Sequence, residues 1–231
     1  MATRATTSRS DSPRKIFIVE DHPVFREGLV QVLEREAGLT VCGEAGDARQ
    51  ALRAINRLKP DLVLVDITLP GKSGLELIRE IRATNRKIKL LVVSMHDEAV
   101  YASRVLRAGG DGYVMKQVDT DEIVHAVHDV LNGHIYVSEE VLASLGKPEK
   151  SEPKRRRTTS KTRLLTRLSD AELEILELLG LGKTHREIAR RIHSNSKQVE
   201  ARCTQMAKKL NVKNINELIR FAVCWVETES Q

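Results

Sequence analysis

Five polar residues follow four apolar segments in the N-terminal half, each where the apolar run ends. They are Glu20 and Asp21 after "IFIV", Asp66 after "LVLV", Ser94 after "LLVV" and Lys116 after "YVM". Three carboxylates held together repel one another unless one is protonated or a cation compensates, and oxygen ligands with open positions suit Mg²⁺. The set therefore predicts a magnesium site where Asp66 can attack phosphorus, with Ser94 and Lys116 binding the phosphoryl oxygens.

These residues need a scaffold that brings the ends of separate strands together. From Ile16 to Leu131 short apolar runs alternate with segments of helical periodicity, which predicts five βα units. Near-continuous apolar strands indicate a parallel sheet with helices on both faces. Ligands of such sheets bind beyond the carboxyl ends of the strands, where the strand order reverses. We therefore expect the five polar residues at one edge of an α/β domain.

Length, charge and cysteine content limit the class of protein. A chain of 231 residues with 41% hydrophobic residues predicts two modest domains. The net charge of +6 is uneven, with −3 on residues 14–145 and +8 on residues 146–231, which indicates a polyanionic partner such as nucleic acid. The 3 cysteines have no metal-like spacing, which argues against disulfide frameworks and zinc fingers.

The sequence contains no targeting or membrane signal that we recognise. Residues 1–13 lack the apolar stretch of a secretory signal, and no apolar run approaches the ~18 residues of a membrane span. We expect a soluble, cytoplasmic protein with no membrane partner.

Composition divides the chain into four parts. Residues 1–13 form a predicted disordered tail, and residues 14–145 carry the βα units. Residues 146–163 are rich in Pro, Lys and Arg with almost no apolar residue, which predicts a flexible linker. Its basic residues are either a second phosphate contact or only a soluble tether. Residues 164–231 form the second domain.

The second domain has four helix starts. At each, a side-chain acceptor precedes a Glu or Gln by three residues, the signature of a capped helix N-terminus. The pairs are Ser169 with Glu172, Thr184 with Glu187, Asn195 with Gln198, and Asn214 with Glu217. We therefore predict four short helices joined by tight turns.

Residues 15–132 resemble the receiver domain of bacterial two-component response regulators. The segments "VED" (19–21), "LVLVDITLPGKSG" (62–74), "VVSMHD" (92–97) and "GYVMK" (112–116) occur in that family's order and spacing. The resemblance implies a flavodoxin-like (βα)5 fold, in which Asp66 is the phosphoacceptor. It also implies that Asp66 and Asp21 are Mg²⁺ ligands, Glu20 an outer ligand, and the main-chain carbonyl of Thr68 a further contact.

The same resemblance implies a switch next to the phosphorylation site. Ser94 and Tyr113 would be the switch pair, with the hydroxyl moving towards the phosphoryl group and the ring turning inward behind it. Lys116 would bind the phosphoryl group. In many receivers a cis-proline follows this lysine, but here Gln117 follows it. A cis bond before a residue other than proline costs about 2.5–4 kcal/mol, so we expect a trans bond there.

Residues 168–223 resemble the four-helix, LuxR-type helix-turn-helix domain of the NarL/FixJ class of regulators. "LSDAELEIL", "REIARRI" and "KKLNVKN" match that pattern well. The turn before the third helix departs from it, because Ser194 replaces an apolar residue and Gln198 replaces a threonine. The fold class is therefore an α/β receiver domain followed by a small all-α domain.

The third helix of this domain has a buried row and an opposite row that would face the major groove of DNA. Val199, Cys203, Met206 and Leu210 repeat at helical spacing and form the predicted buried row. Glu200 near phosphates is unfavourable, so a plain solvated face is the alternative for the opposite row. The candidate DNA-binding residues are Lys197, Gln198, Glu200, Ala201, Thr204 and Lys208.

These features predict a phosphorylation-switched, DNA-binding transcriptional regulator whose phosphodonor is a sensor histidine kinase. Phosphorylation would favour a homodimer, for which Phe221, Val223, Trp225 and Val226 could supply an apolar patch. The alternative is a receiver that acts through protein contacts, or as a phosphate sink, with weakened DNA binding. We expect no enzyme beyond self-phosphorylation and slow self-dephosphorylation, because "DIT" (66–68) lacks the second aspartate of haloacid dehalogenase phosphatases.

Overall fold

The computed structural model describes residues 12–145, 164–192 and 194–229. The predicted linker and nearly all of the predicted N-terminal tail lie outside these ranges. In the part of the chain that is described, no helix has the length and apolar character to cross a membrane.

Five parallel strands form one sheet. They are β1 (Arg14–Val19), β2 (Leu39–Ala45), β3 (Leu62–Val65), β4 (Lys89–Ser94) and β5 (Gly112–Met115). Their spatial order is β2-β1-β3-β4-β5, so the strand order reverses between β1 and β3. Val19 at the end of β1 lies opposite Val65 at the end of β3. The next residues, Glu20 and Asp66, therefore leave the sheet side by side at the switch point.

Five helices alternate with the strands and cover both faces of the sheet, as predicted. Ile16 and Ile18 of β1 pack with the helices on one face, whereas Phe17 and Val19 pack with those on the other, because successive strand side chains point to opposite faces. The helices α1 and α5 cover the first face, and α2, α3 and α4 cover the second. Their bounds are α1 (Pro23–Arg35), α2 (Ala48–Leu58), α3 (Gly74–Thr84), α4 (Glu98–Ala108) and α5 (Thr120–Leu131).

One further helix in the N-terminal half was not predicted. Helix α6 (Glu139–Leu145) follows a segment in which Tyr136 forms a parallel bridge with Gly112 at the edge of β5. The Tyr113 amide donates to the carbonyl oxygen of Tyr136 at 2.7 Å. Val141 of α6 is buried, and a helix of 7 residues offers too little periodicity for the sequence to indicate it.

The four predicted C-terminal helices are present. They are α7 (Asp170–Gly180), α8 (His185–Arg191), α9 (Ser196–Lys209) and α10 (Ile215–Glu229). Complete capping boxes form at Ser169 with Glu172 and at Thr184 with Glu187. Asn195 accepts from the Gln198 amide at 2.9 Å, and Asn214 accepts from the Glu217 amide at 3.0 Å. These side chains satisfy N–H groups that have no partner within their own helix.

The C-terminal domain packs on the side of the sheet that α3 and α4 cover. A single apolar cluster runs from that face of the receiver into the C-terminal helices. Arg104 of α4 donates to Asp170 at 2.7 Å and to the carbonyl oxygen of Leu168 at 2.7 Å. Arg79 of α3 also pairs with Asp170. Burial raises the pKa of Asp170, but hydrogen bonds from Arg104 and Arg79 outweigh it and hold that pKa below its usual value.

Candidate functional site

Acidic side chains converge at the switch point of the sheet. Ligand atoms of Glu20, Asp21, His22 and Asp66 all lie within 4.8 Å of one another. Glu20 and Asp66 are 2% and 4% exposed, respectively. The structure thus brings together the three predicted carboxylates, and it adds His22, which sequence reasoning missed although it directly follows Asp21.

Lys116 compensates part of this negative charge. Its Nζ atom lies 2.6 Å from Glu20 Oε2 and 2.9 Å from Asp66 Oδ2. The ammonium group also lies 4.7 Å from the centre of the Phe25 ring, within cation–π distance. Lys116 is therefore at the predicted position beside the candidate phosphoacceptor.

The chemistry of the donor set fits a hard divalent cation. Within the described residues, Asp21 Oδ1 is buried and accepts no hydrogen bond. His22 Nδ1 lies 3.0 Å from this oxygen and 3.1 Å from Glu20 Oε1, and one ring N–H can serve only one of them. Carboxylate oxygen atoms that have no hydrogen-bond donor are available as ligands, and Mg²⁺ prefers oxygen ligands of this kind.

The surroundings of Asp66 control its charge. Burial raises the pKa of the Asp66 carboxyl, Lys116 opposes that shift, and Glu20 adds to it. A cation bound beside Asp66 would favour the ionised form.

Gly74 keeps the loop after Asp66 close to that residue. Its amide donates to the Ile67 carbonyl oxygen at 2.8 Å. A Cβ atom at this position would lie 2.0 Å from the Asp66 carbonyl oxygen, a distance that only glycine avoids. The "LPGKSG" segment after Asp66 therefore folds back towards that residue before α3 begins.

The predicted switch residues lie beside the site and inside the protein. Ser94 is fully buried, and its Oγ accepts from the His96 amide at 3.4 Å. Tyr113 is 1% exposed, and its hydroxyl donates to the His96 carbonyl oxygen at 2.7 Å. The Tyr113 ring thus already occupies the inward position, to which the resemblance implies that it turns only behind the moving hydroxyl.

Thr68 contacts both domains through its side chain. Its Oγ1 lies 2.9 Å from His96 Nε2 and donates to Glu177 Oε1 of α7 at 3.2 Å. The role predicted for its main-chain carbonyl remains a prediction. The expected trans bond after Lys116 is confirmed, because the described residues contain no cis peptide bond.

The candidate DNA-reading helix is α9. All four residues of its predicted buried row are buried, which orients the opposite row outward. The six candidate DNA-binding residues, Lys197, Gln198, Glu200, Ala201, Thr204 and Lys208, are all exposed.

The atypical turn before α9 closes with polar contacts. Ser194 Oγ donates to Gln198 Oε1 at 2.6 Å, so the two residues that depart from the family pattern contact each other. Asn195 caps the helix at the same place. The pair thus replaces, with a hydrogen bond, the apolar contact that often fixes the entry into a helix.

The apolar patch predicted on α10 is partly covered. Trp225 is 6% exposed, and its ring lies 6.4 Å from the ring of His96 in the receiver. Phe221, Val223 and Val226 are half-buried. The sequence could not indicate this, because its periodicity shows that α10 has an apolar face but not which surface lies against it.

Two other residues at the junction of the domains were missed by sequence reasoning. Arg104 reaches four acceptors of the C-terminal domain, including the carbonyl oxygens of Leu165 and Thr166. His96 is buried between the domains. The only available signal for His96 was its place in "VVSMHD", two residues after Ser94.

Comparison with protein families supports the two-part organisation. Residues 16–128 match the response regulator receiver domain family, and residues 166–222 match the LuxR family of bacterial regulatory proteins. The matched ranges contain the acidic cluster and helix α9, respectively.

Individual relatives extend over nearly the whole chain. A putative transcriptional regulator of Pseudomonas aeruginosa is 32% identical over 90% of this chain and 96% of its own length. The nitrate/nitrite response regulator protein NarL of Escherichia coli is 30% identical over 95% of this chain and 98% of its own. The solved structure of the response regulator RcsB from Salmonella typhimurium shares the fold, with a TM-score of 0.72 and 23% identity over 93% of this chain and 98% of that one.

Relatives of this kind are DNA-binding transcription regulators rather than catalytic enzymes. The described acidic cluster lies within the matched receiver segment, and the helix-turn-helix lies within the LuxR match. The chain belongs to the two-component response regulators that join a receiver domain to a LuxR-type helix-turn-helix domain.

Proposed function

We propose that this chain accepts a phosphoryl group on Asp66 from the phosphohistidine of a sensor histidine kinase and thereby controls transcription. The placement of Asp66 carries this proposal. Its carboxylate lies at the switch point of the sheet, nearly buried, 2.9 Å from Lys116 Nζ and within the acidic cluster. An aspartate that only capped a strand end in solvent would need neither the lysine nor the other carboxylates beside it.

The residues present have distinct roles in the transfer. A carboxylate oxygen of Asp66 attacks phosphorus as the bond from phosphorus to the imidazole nitrogen of the donor breaks, and that nitrogen leaves with the electron pair. Lys116 Nζ, already in contact with Asp66, binds a phosphoryl oxygen as a point charge. The Ser94 hydroxyl, two residues from His96, donates to another phosphoryl oxygen.

Glu20, Asp21 and Asp66 would hold Mg²⁺, with the Thr68 carbonyl as a further ligand. The ion would supply positive charge that neutralises the carboxylates and the incoming phosphoryl oxygens. The unsatisfied Asp21 Oδ1 supports this assignment. Lys116 alone leaves the cluster with an excess of negative charge, since it faces both Glu20 and Asp66.

The output of the switch is binding of a homodimer to double-stranded DNA. The exposed row of α9 offers two lysines for phosphates and short side chains for base edges. Regulators that insert such a helix in the major groove bind paired half-sites as dimers. We therefore expect phosphorylation to raise the affinity of this chain both for itself and for DNA.

The test of the phosphoacceptor is direct labelling. The wild-type chain, incubated with Mg²⁺ and radiolabelled acetyl phosphate, should gain one acid-stable, base-labile label. Asp66→Asn should gain none, whereas Asp61→Asn, at a half-buried position just before β3, should label normally. Undiminished labelling of Asp66→Asn would refute the proposal.

The alternative function is a receiver that acts through protein contacts or as a phosphate sink. The observation that favours it is Glu200, an exposed acid in the middle of the candidate DNA-reading face. Electrophoretic shifts with genomic fragments at low and moderate salt separate the two functions. Phosphorylation-dependent shifts support DNA binding, and labelled protein that shifts no fragment at either salt concentration supports the alternative.

A further inference from the structure

His96 is a buried polar residue to which the proposed chemistry assigns no role. It is 5% exposed and lies between the receiver and the C-terminal domain. Its ring stacks on Tyr101 of α4, with the centres 4.7 Å apart. A buried imidazole retains hydrogen-bond partners because burying it without them is costly. Its partners come from both domains.

On the receiver side, the main chain of His96 is hydrogen-bonded to both residues of the predicted switch pair, Ser94 and Tyr113. Its amide donates to Ser94 Oγ at 3.4 Å, and its carbonyl oxygen accepts from the Tyr113 hydroxyl at 2.7 Å. Its Nε2 lies 2.9 Å from Oγ1 of Thr68, which is two residues after Asp66. A shift of the Ser94 hydroxyl towards a phosphoryl group would therefore remove the acceptor of the His96 amide.

On the side of the C-terminal domain, His96 meets two helices. Its Nε2 lies 3.7 Å from Glu177 Oε2 of α7. Its ring lies 6.4 Å from the ring of Trp225 of α10, with 25° between the planes. Glu177 also accepts from Thr68, so the same carboxylate is held by two receiver side chains.

The docked arrangement covers one part of the C-terminal domain and leaves another open. Trp225 is buried, whereas Lys197, Glu200 and the rest of the candidate DNA-reading row of α9 are exposed. The contact around His96 therefore covers the end of α10 and leaves the candidate DNA-reading row of α9 exposed. Release of this contact would expose apolar surface on α10 without changing α9.

We propose that His96 is the residue that couples the state of Asp66 to the docking of the C-terminal domain. In the docked arrangement, in which the Tyr113 ring is already inward, it holds α7 and α10 against the receiver through Glu177 and Trp225. Movement of Ser94 towards a phosphoryl group withdraws His96 and frees the end of α10. This inference rests on the proposed function, since the signal begins with phosphorylation of Asp66.

The chain carries its own reporter of this contact. Trp225 is the single tryptophan of the chain, and its ring lies at the junction of the two domains. Acrylamide quenching of tryptophan fluorescence in the full-length protein therefore measures whether α10 is docked. Small-angle scattering of the same samples measures domain separation independently of any direct effect of His96 on the Trp225 spectrum.

Three substitutions separate coupling from packing. His96→Phe keeps an aromatic ring next to Tyr101 and Trp225 but loses the contacts of Nε2 with Thr68 and Glu177. His96→Gln retains an amide that can donate at a similar distance and should restore part of the response. The matched control is His125→Phe, because His125 is an exposed histidine of α5 whose ring contacts Tyr136 instead.

With Mg²⁺ and acetyl phosphate, the wild type and His125→Phe should show at least a fivefold shift in the ratio of open to docked protein, the lower end of typical coupling between sites. His96→Phe should be open before phosphodonor is added and should respond less than twofold, while Asp66 is labelled as in the wild type. This separation of labelling from opening is not expected of a residue that only stabilises the fold.

Two results overturn the inference. In one, Asp66 is labelled but Trp225 quenching and domain separation stay unchanged in the wild type. In the other, His96→Phe opens on phosphorylation as the wild type does. Both leave the proposed function intact. Absence of labelling in the wild type would instead overturn the proposed function, and this inference with it.

Discussion

Lys116 Nζ lies 2.9 Å from Asp66 Oδ2 in a site where the lysine side chain is 5% exposed and that of the aspartate 4% exposed. The same ammonium group is 2.6 Å from Glu20 Oε2. One buried cation thus faces two buried carboxylates. Removal of one member of such a cluster leaves the remaining charges buried without compensation. The free-energy cost of that loss is larger than the net stabilisation that the intact ion pair provides.

Lys116→Ala should lower the free energy of unfolding by about 3–5 kcal/mol in the absence of divalent cations. Mg²⁺ should restore part of that loss, because an ion bound only by the folded state stabilises it by mass action. Thermal unfolding with EDTA and with Mg²⁺ measures both effects. A variant as stable as the wild type in EDTA would show that Lys116 does not compensate these carboxylates.

Gly74→Ala should disrupt the phosphoacceptor loop, because the new Cβ would lie 2.0 Å from the Asp66 carbonyl oxygen. We expect a stability loss of about 1–3 kcal/mol, typical of overpacking, together with slower labelling of Asp66. Gly28→Ala is the control. Gly28 lies in α1 with open space at its Cβ position, so alanine there should stabilise the helix by about 0.5–1 kcal/mol. Normal labelling of Gly74→Ala would contradict the close approach.

Glu174 should make stability depend on pH. Burial raises the pKa of its carboxyl from 4.5 to about 7; Glu76 and Glu177 add to that shift, whereas Arg191 and Arg202 oppose it. The folded protein therefore retains a proton that the unfolded chain loses near pH 4.5, so this group's contribution to stability falls as pH rises from there to about 7.

Glu174→Gln, which resembles the protonated form, should remove this dependence. Each pKa unit corresponds to about 1.4 kcal/mol, and screening at a half-buried site reduces the effect, so we expect a gain of about 1–2 kcal/mol at pH 8 and little change at pH 5. Urea unfolding followed by Trp225 fluorescence measures it. The control is Glu27→Gln, at an exposed glutamate of α1. Equal gains for Glu174→Gln at both pH values would contradict the assignment.

Glu200→Ala should relax base preference at one position of the DNA site. A carboxylate in the major groove can accept from the amino group of cytosine, so its loss should remove about 1–3 kcal/mol of discrimination at one base pair. Total affinity should rise, because a negative charge leaves the phosphates.

Lys197→Ala is the contrasting variant for the same helix. It should weaken binding to all sequences alike and lower the slope of log affinity against log salt by about 1. Binding constants for a base-substitution series at several salt concentrations compare the two variants. An unaltered base profile for Glu200→Ala would mean that α9 does not read sequence through this residue.

The sequence determined the fold and the identity of the site because both depend on local patterns. Apolar strands ending in Glu20, Asp66 and Lys116 predicted a parallel sheet, and a parallel sheet places the ends of its strands at one edge. The capping pairs located the C-terminal helices for the same reason, since a cap and the amide it bonds are three residues apart.

The tertiary structure alone decided what lies between the domains. Thr68 and Glu177 are 109 positions apart and yet share a hydrogen bond, and His96 reaches both α7 and α10. Helical periodicity indicates that α10 has an apolar face but carries no information about its occupant. Whether Trp225 faces a second copy, solvent or the receiver depends on packing between surfaces far apart in the chain, and in this structure it packs against the receiver.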